Sequence, residues 1–372
     1  MNKKVILLYP YFNGVSGAYN RYLLLESLIK ITNFKVKLII IRENKYKSNI
    51  SQYINKLYKF IKVEFLIIFY TVFKNYYLIT DFNPSIIALF SKKVFVQIHD
   101  VSWENKYFAR HNSLFYRILK FFIKYYSNIL TVSKTSLIAI KKVSSRNKRI
   151  SYLYNSVNYK FIKESNNIGK NKFDFVNNKI SKSIDLNLPN LLYIATLTPR
   201  KCHFEFLEAL SRTNSLFNIN LVGFPTSKKI LDLIQNSKTL KGRSIKSKIN
   251  YFPELSQRDL CTLLLHSSAY ISTSINEGFG IPVLEAKLYN IPLIIRDIDI
   301  NRELFPKARF FNSTFELTNL LSEIKPLSKF EVLQRKKIIS NINEFNISEP
   351  YDYLTLSKRL INIILDKSHK NN

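Results

Sequence analysis

Apolar residues recur along this chain in two rhythms. Short runs rich in Val, Ile, Leu, Phe and Tyr occupy residues 4–10, 35–41, 76–81, 94–99, 129–133 and 150–155. Between them lie longer stretches, at 17–31, 52–62, 105–125 and 134–142, in which apolar residues return every three or four positions. The first kind has the length and β-branched character of buried strands, the second the period of amphipathic helices packed against them. The rhythm lapses over 161–189, a stretch rich in Asn, Lys and Ser that reads as a loop or linker. It restarts with strands at 191–195, 219–223, 249–252, 269–273 and 293–295 and helices at 203–211, 228–235, 257–266 and 282–289. A last helical pattern, 350–366, carries Tyr353, Leu354, Leu360, Ile361 and Ile364 on or near one face.

Strands alternating with helices predict parallel sheets covered by helices, and 372 residues exceed a single ordinary core. The expected fold class is therefore α/β, with two doubly wound, Rossmann-like domains facing each other across a cleft. The break in rhythm bounds them: residues 1–185 for the first domain, 186–349 for the second and 350–372 for a terminal helix. Ligands of such sheets bind outside the carboxyl ends of the strands. No internal repeat of fixed period is present.

Charge adds a preference for anionic partners. The chain has 57 Lys and Arg against 26 Asp and Glu, a formal net charge of +31. Residues 1–180 hold 31 of the bases and only 8 of the acids, so the excess sits mostly in the first half. Such a field favours phosphates, acidic lipid surfaces or nucleic acid. Residues 52–62 place Lys56, Lys59 and Lys62 among Ile54, Leu57 and Ile61. Residues 114–126 place Arg117, Lys120 and Lys124 among Phe115, Ile118, Phe122 and Tyr125. Both segments fit a core-facing helix with a solvated basic rim, and both fit a helix resting on an anionic membrane. The two cysteines, Cys202 and Cys261, have no metal-ligand spacing and imply no disulfide framework. The opening Lys3-Lys4 followed by Val5 to Tyr9 is cut short by Pro10 and reads as a first strand, not a signal peptide. The most apolar stretch, 65–73, is too short to span a bilayer. These features predict a cytoplasmic protein, peripheral on the inner face of the membrane.

With only seven glycines in the chain, their placement is informative. Gly14 and Gly17 follow the first strand and open the first helix; Gly278 and Gly280 do the same late in the second domain. A bare backbone before a helix lets N–H groups and the helix dipole approach a phosphate, although a single such pair is equally an ordinary tight turn. The second pair lies in the most specific segment: Ser274-Ile275-Asn276-Glu277-Gly278-Phe279-Gly280-Ile281-Pro282-Val283-Leu284-Glu285-Ala286. Here a glycine loop is flanked by two carboxylates eight positions apart, and Pro282 sits in the first helical turn. Carboxylates accept hydrogen bonds from vicinal hydroxyls and backbone N–H groups bind phosphate, so one element fits a nucleotide-sugar from both ends.

This segment resembles family 4 of the retaining glycosyltransferases, the group 1 glycosyl transferases of GT-B architecture, whose hallmark is two glutamates around a Gly-Phe-Gly loop. The resemblance runs along nearly the whole chain. Thr196-Leu197-Thr198-Pro199-Arg200-Lys201 resembles the family's diphosphate-binding turn, with Ala195 in place of a glycine and Cys202 where Asn or Gly is common. Leu221-Val222-Gly223 and the stretch from Tyr251 and Phe252 to Ser256 resemble the base-side strand ends. Asn290-Ile291-Pro292 resembles the Gly-x-Pro turn, with Asn replacing Gly at a left-handed position. In the first half, the loop Gly14 to Gly17 resembles the acceptor-side glycine loop, Gln97-Ile98-His99-Asp100 the strand-end His-Asp, and Tyr154 to Asn158 an Asn-Gly-Val-Asp signature in which Ser156 replaces glycine.

The resemblance implies transfer of a hexose or deoxyhexose from a nucleotide-diphosphate sugar, with retention, to a glycan or lipid-linked oligosaccharide in bacterial surface polysaccharide assembly (O-antigen, capsule or exopolysaccharide). It also implies a terminal helix that returns to the first domain. His99, Glu277, Arg200 and Lys201 carry the implied catalytic roles. Gly14, Gly17, Gly223, Phe252, Gly278, Phe279, Gly280 and Glu285, with Arg200 and Lys201, would bind the donor. No cofactor beyond the donor and no metal is expected, nor any specific nucleic acid. Three other readings stay open: a basic nucleic-acid-binding protein, a GT-B epimerase or hydrolase, and a non-catalytic partner subunit.

Overall fold

The computed structural model describes residues 3–12, 17–42, 49–81, 85–99, 114–145, 149–170, 178–226, 239–240, 243–348 and 350–365. The chain divides into two compact units, Met1–Asn158 with Ser348–Asn372, and Tyr159–Ile347.

The first unit is built on six parallel strands: β1 (Lys4–Phe12), β2 (Lys35–Arg42), β3 (Tyr77–Asp81), β4 (Val94–Ile98), β5 (Asn128–Thr131) and β6 (Arg149–Tyr152). Their order is β2-β1-β3-β4-β5-β6, so the winding reverses between β1 and β3. Its helices are α1 (Gly17–Lys30), α2 (Asn49–Ile68), α3 (Ile86–Phe90), α4 (Leu114–Tyr125) and α5 (Lys134–Val143). A strand in the middle of such a sheet is covered on both faces, which is why β4 is buried throughout and is apolar at every position but Gln97. The core joins Ile6, Leu78, Val96 and Ile129 of the sheet to Val63 and Ile67 of α2, Ile123 of α4 and Ile140 of α5.

The second unit repeats the plan. Its six-stranded parallel sheet contains β7 (Asn190–Ile194), β8 (Asn218–Val222), β11 (Lys248–Phe252), β12 (Ala269–Ser272), β13 (Leu293–Arg296) and β14 (Arg309–Phe311), ordered β11-β8-β7-β12-β13-β14. A short antiparallel pair, β9 (Thr239–Leu240) and β10 (Arg243–Ser244), stands apart. The helices are α6 (Tyr159–Lys170), α7 (Asn178–Ser181), α8 (His203–Arg212), α9 (Gln257–Leu265), α10 (Ile281–Leu288), α11 (Asp299–Leu304), α12 (Thr314–Ser322) and α13 (Lys329–Ile339).

Every strand expected from the apolar runs is present. The expected loop at 161–189 is not: α6 occupies its first part and buries Phe161, Ile162, Ser165 and Ile168 at helical spacing. Gly169 in its last turn touches α13, where an added Cβ would lie 2.6 Å from the Ser340 nitrogen. Since α6 packs against α9 and α13, the boundary between the units falls at Asn158, not near residue 185. Also unread in the sequence are the strands β9, β10 and β14 and the helices α3, α7, α11, α12 and α13. The expected helix at 52–62 runs on to Ile68 and finishes in a π-helical turn, Phe69–Phe73, which absorbs the apolar stretch. The expected helix at 228–235 lies outside the described residues, as does the first part, 105–113, of the expected helix at 105–125, whose remainder is α4.

The terminal helix Tyr353–Ile364 belongs to the first unit. Asp352 caps it by accepting from the Thr355 N–H, Ser357 Oγ donates to Leu28 O of α1 at 2.8 Å, and Tyr353 Oη donates to Val157 O at 3.0 Å. Its buried face is Tyr353, Leu356, Leu360, Ile363 and Ile364, whereas Leu354 of the expected face points to solvent.

Candidate functional site

In the second sheet the winding reverses between β7 and β12, and the crevice outside the carboxyl ends of two such strands is where open α/β sheets hold ligands. The loops at this point are 195–202, after β7, and 273–280, after β12. They carry the Arg-Lys turn and the Glu-Gly-Phe-Gly segment, so two motifs 76 positions apart meet.

Buried polar groups and a loop-to-loop backbone bond fix the two loops to each other. The Tyr193 hydroxyl donates to Lys201 O and lies 3.1 Å from Thr273 Oγ1. Thr273 Oγ1 is 2.9 Å from Lys201 O and 2.8 Å from Cys202 O, and the Ile275 N–H donates to Arg200 O at 3.0 Å. Arg296, at the end of β13, donates from Nε to Thr273 O at 3.0 Å and pairs with Glu205 of α8. Behind them the His203 ring stacks on Tyr193 with centroids 4.5 Å apart, and burial first, then Lys201, lowers its pKa to about 4. Sequence reasoning missed this frame; the signal was Tyr193, a hydroxyl-bearing ring set among Leu191, Leu192 and Ile194 in β7. Pro199–Lys201 forms a single 3₁₀ turn, and Cys202 follows at φ 49°, a left-handed position that only Gly or Asn occupies comfortably.

The site's charged groups sit on this frame. Lys201 Nζ pairs with Glu277 across the two loops, both side chains nearly buried. Arg200 donates to Asn276 O at 3.2 Å. Gly278 is half-buried, Phe279 buried, and Gly280, at φ 83°, opens α10 with no side chain capping the helix. Glu285, in the second turn of α10, is 7% exposed. Burial alone pushes its pKa up to about 8, and among the described residues no hydrogen bond or ion pair to its carboxylate is found. A buried carboxylate without donors is costly to ionise, so the position favours a ligand that brings hydroxyl or amide protons.

At the neighbouring strand ends, Gly223 touches β7 directly: an added Cβ would sit 1.9 Å from Ala195 O. Its N–H donates to Phe252 O at 2.9 Å, and Tyr251 Oη donates to Gly223 O at 2.9 Å. Phe252, expected beside the base, has its ring buried under Lys179, 5.2 Å from the ring centroid. The aromatic ring in solvent at this edge is Phe224, which the sequence reading passed over. Asn290 takes φ 53°, as its place in the Gly-x-Pro turn predicted, and Ser156 does not take a left-handed conformation.

In the first unit, His99 follows β4. Its Nε2 lies 2.7 Å from Oδ1 of Asp81 at the end of β3, so an ionised Asp81 makes Nε2 the donor. Asp81 was not anticipated. The fully buried Arg21 of α1 donates to Leu153 O and Tyr154 O, each at 2.8 Å, and ties the helix to the end of β6. Gly17 is the first residue of α1, while Gly14 and Asp100 lie outside the described residues. Among the described residues no group of three or more His, Cys, Asp or Glu is placed to hold a metal ion.

Residues 174–313 match the family Glycosyl transferases group 1. The O-antigen chain mannosyltransferase RfbU of Salmonella typhimurium is 26% identical over 236 residues, 63% of this chain and 59% of that protein. The serotype-specific mannosyltransferase WbdA of Escherichia coli is 31% identical over 129 residues, 34% of this chain and 15% of that protein. The chain thus spans less than two thirds of either relative. The structure of Anabaena HepE in complex with UDP-glucose superposes with a TM-score of 0.64 at 15% identity, over 98% of this chain and 99% of that one. Two Rossmann-like α/β units with parallel sheets give this chain the GT-B fold, and it is related to group 1 glycosyl transferases.

Proposed function

We propose that the second unit binds a nucleoside-diphosphate sugar and that the chain transfers its hexose, with retention of configuration, to a lipid-carried glycan in bacterial surface polysaccharide assembly. The observation that carries this reading is Glu285: a buried carboxylate without donors, one helical element away from Glu277 and the loop Gly278–Gly280, at the switch point of the sheet. A ribose diol supplies the two donors that the carboxylate lacks. The diphosphate lies against the uncapped start of α10 and attracts Lys201 and Arg200. Glu277, released from Lys201, then accepts from the sugar hydroxyls. Mannosyl transfer by RfbU and WbdA, and UDP-glucose in HepE, support a hexose donor.

The chemistry asked of the protein is positioning and charge stabilisation. The departing diphosphate takes the acceptor proton on the same face, while Arg200, Lys201 and the loop amides stabilise its growing negative charge. His99, held by Asp81, is the first unit's candidate for a contact with the transferred sugar. Thermal unfolding with UDP, GDP, ADP and CMP and their sugars tests the donor site. One nucleotide at about 100 times its dissociation constant should stabilise by about 2.7 kcal/mol. Glu285→Ala should weaken that shift, and Glu277→Ala and His99→Ala should mainly lower kcat. No shift with any nucleotide, or unchanged kinetics in all three variants, refutes the reading.

A further inference from the structure

The amino-terminal edge of the first sheet, at the opposite end of the strands from Asp81 and His99, holds a second concave site. A cavity of about 350 Å³ opens beside the first residues of β1 and β2 and the end of the π-helical turn, lined by Lys4, Lys35, Lys37, Lys74, Tyr70 and Tyr76 among others. Two of the ammonium groups are held by tyrosines: Lys4 donates to Tyr76 Oη at 3.1 Å and Lys37 to Tyr70 Oη at 3.4 Å. The two tyrosine rings stack with centroids 6.2 Å apart. Among the described residues no carboxylate pairs with any of the four lysines. Four uncompensated cations around a cavity with hydroxyls in its wall favour a phosphate.

The surface leading to this cavity has the wrong polarity for water. A helix docked on a sheet ordinarily turns its apolar residues inward and its lysines outward. In α2, Val63 and Ile67 do face the core, but Lys59 is buried with them, whereas Tyr58, Ile61 and Phe65 are each more than half exposed. Their spacing of three and four places them in one stripe, which the π-helical turn continues with Val72 (65% exposed) and Phe73 (73% exposed). Lys74, next in sequence, lines the cavity. The apolar stripe therefore runs into the cationic pocket. No helix among the described residues is long and apolar enough to cross a membrane.

We infer that this edge seats an anionic phospholipid: a headgroup phosphate in the lysine–tyrosine cavity, and the stripe Tyr58, Ile61, Phe65, Val72 and Phe73 in the interfacial layer of the bilayer. A free phosphate satisfies the same lysines but leaves the stripe in water, and that contrast selects the lipid. The site is independent of the sugar-transfer reading, since vesicle binding needs no donor, and either can fail alone.

The test is flotation of the full chain with phosphatidylcholine vesicles, with and without phosphatidylglycerol, at low salt. Lys35, Lys37 and Lys74 are exposed, so the triple substitution K35A/K37A/K74A leaves the core intact. It should weaken binding to the anionic vesicles by roughly fivefold per lysine, or roughly 100-fold in all. The control K307A/K325A/K329A removes the same charge from exposed positions of the second unit and should leave binding within a few-fold of the wild type. Val72→Ser with Phe73→Ser should leave a residual binding that salt abolishes, because only the screened electrostatic part remains. Equal losses in the two triple variants would mean attraction by the overall charge and would overturn the site. So would no binding to anionic vesicles, or thermal stabilisation by inorganic phosphate, lost in K35A/K37A/K74A, without any vesicle binding.

Discussion

Replacing Glu285 by glutamine probes the candidate site through a quantity that needs no ligand. In the folded chain, burial raises this carboxyl from 4.5 to about 8. The unfolded chain therefore releases the proton near pH 4.5, while the folded chain holds it to about pH 8. Between those values the unfolded state binds fewer protons, so the contribution of Glu285 to wild-type stability falls as pH rises, by about 1.4 kcal/mol per pH unit, and levels off above pH 8. The accumulated cost at pH 7 is about 3 kcal/mol. Glu285→Gln keeps the volume and removes the titration. Its absolute stability also carries the amide's own unmet hydrogen bonds, about 1–3 kcal/mol, so the informative quantity is the slope. Urea unfolding of both proteins from pH 5 to 9 should give a stability difference, variant minus wild type, that climbs by about 1.4 kcal/mol per unit and flattens past pH 8. In melting experiments this corresponds to about 3–6 °C per unit for a domain of this size. Parallel curves would refute the reasoning, because they would mean that Glu285 ionises in the fold as easily as in water. Saturating nucleotide extends the test. Hydroxyls donating to the carboxylate favour its ionised form, so the wild-type slope should shrink and binding at neutral pH should release a proton.

The same approach reaches three other positions. His203, lowered to about 4 by burial, stays neutral in the fold while the unfolded chain protonates below pH 6.5, so stability is lost as pH falls from 6.5 to 4, at about 1.4 kcal/mol per unit. His203→Phe should flatten that acid limb in urea titrations, and since its sign is opposite to that of Glu285, the two offset each other between pH 4.5 and 6.5 in the wild type. Cys202→Gly should raise the urea midpoint by an equivalent of about 0.5–1 kcal/mol by relieving the left-handed backbone at φ 49°; a lower midpoint would give more weight to the thiol's 3.4 Å contact with Pro199 O. Gly169→Ala gains up to about 1 kcal/mol of helix propensity but forces its methyl against the Ser340 backbone 2.6 Å away, so a net loss of about 1–3 kcal/mol is expected, and a stabilised variant would refute the close packing of α6 on α13.

What the sequence made legible follows from how each element is buried. Strands such as β4 and β12, covered on both faces, spell out runs that are apolar but for Gln97 and Ser272. Helix α6 hides because one of its four buried positions is Ser165, which meets Tyr289 Oη at 2.8 Å, and because Gly169 looks like a stop while serving as a contact. The glycine loop and the two glutamates were readable because their chemistry is local. Asp81 beside His99, and Tyr193 with Thr273 beneath the loops, were not, because such pairs depend on which strands become neighbours. Phe252 and Phe224 show the same limit on a smaller scale: the sequence locates the strand ends, but only packing decides which ring turns inward.

Lys201 and Glu277 carry this furthest. Read along the chain they are two separate contributors, a cation for phosphate and a carboxylate for sugar hydroxyls. In the fold, each is the other's partner, and both are nearly buried. On the sugar-transfer reading, neither can serve the donor until the pair opens, and the diphosphate that draws Lys201 away is what frees Glu277. Binding of the two ends of the donor is then coupled through one ion pair. Glu277→Gln, by weakening Lys201's hold, should tighten binding of the bare nucleoside diphosphate even as it lowers turnover, a pairing of effects that isothermal titration and initial-rate kinetics can separate. If instead the variant binds the nucleotide more weakly, Glu277 is placing Lys201 for the phosphate rather than withholding it, and the proposed competition is wrong.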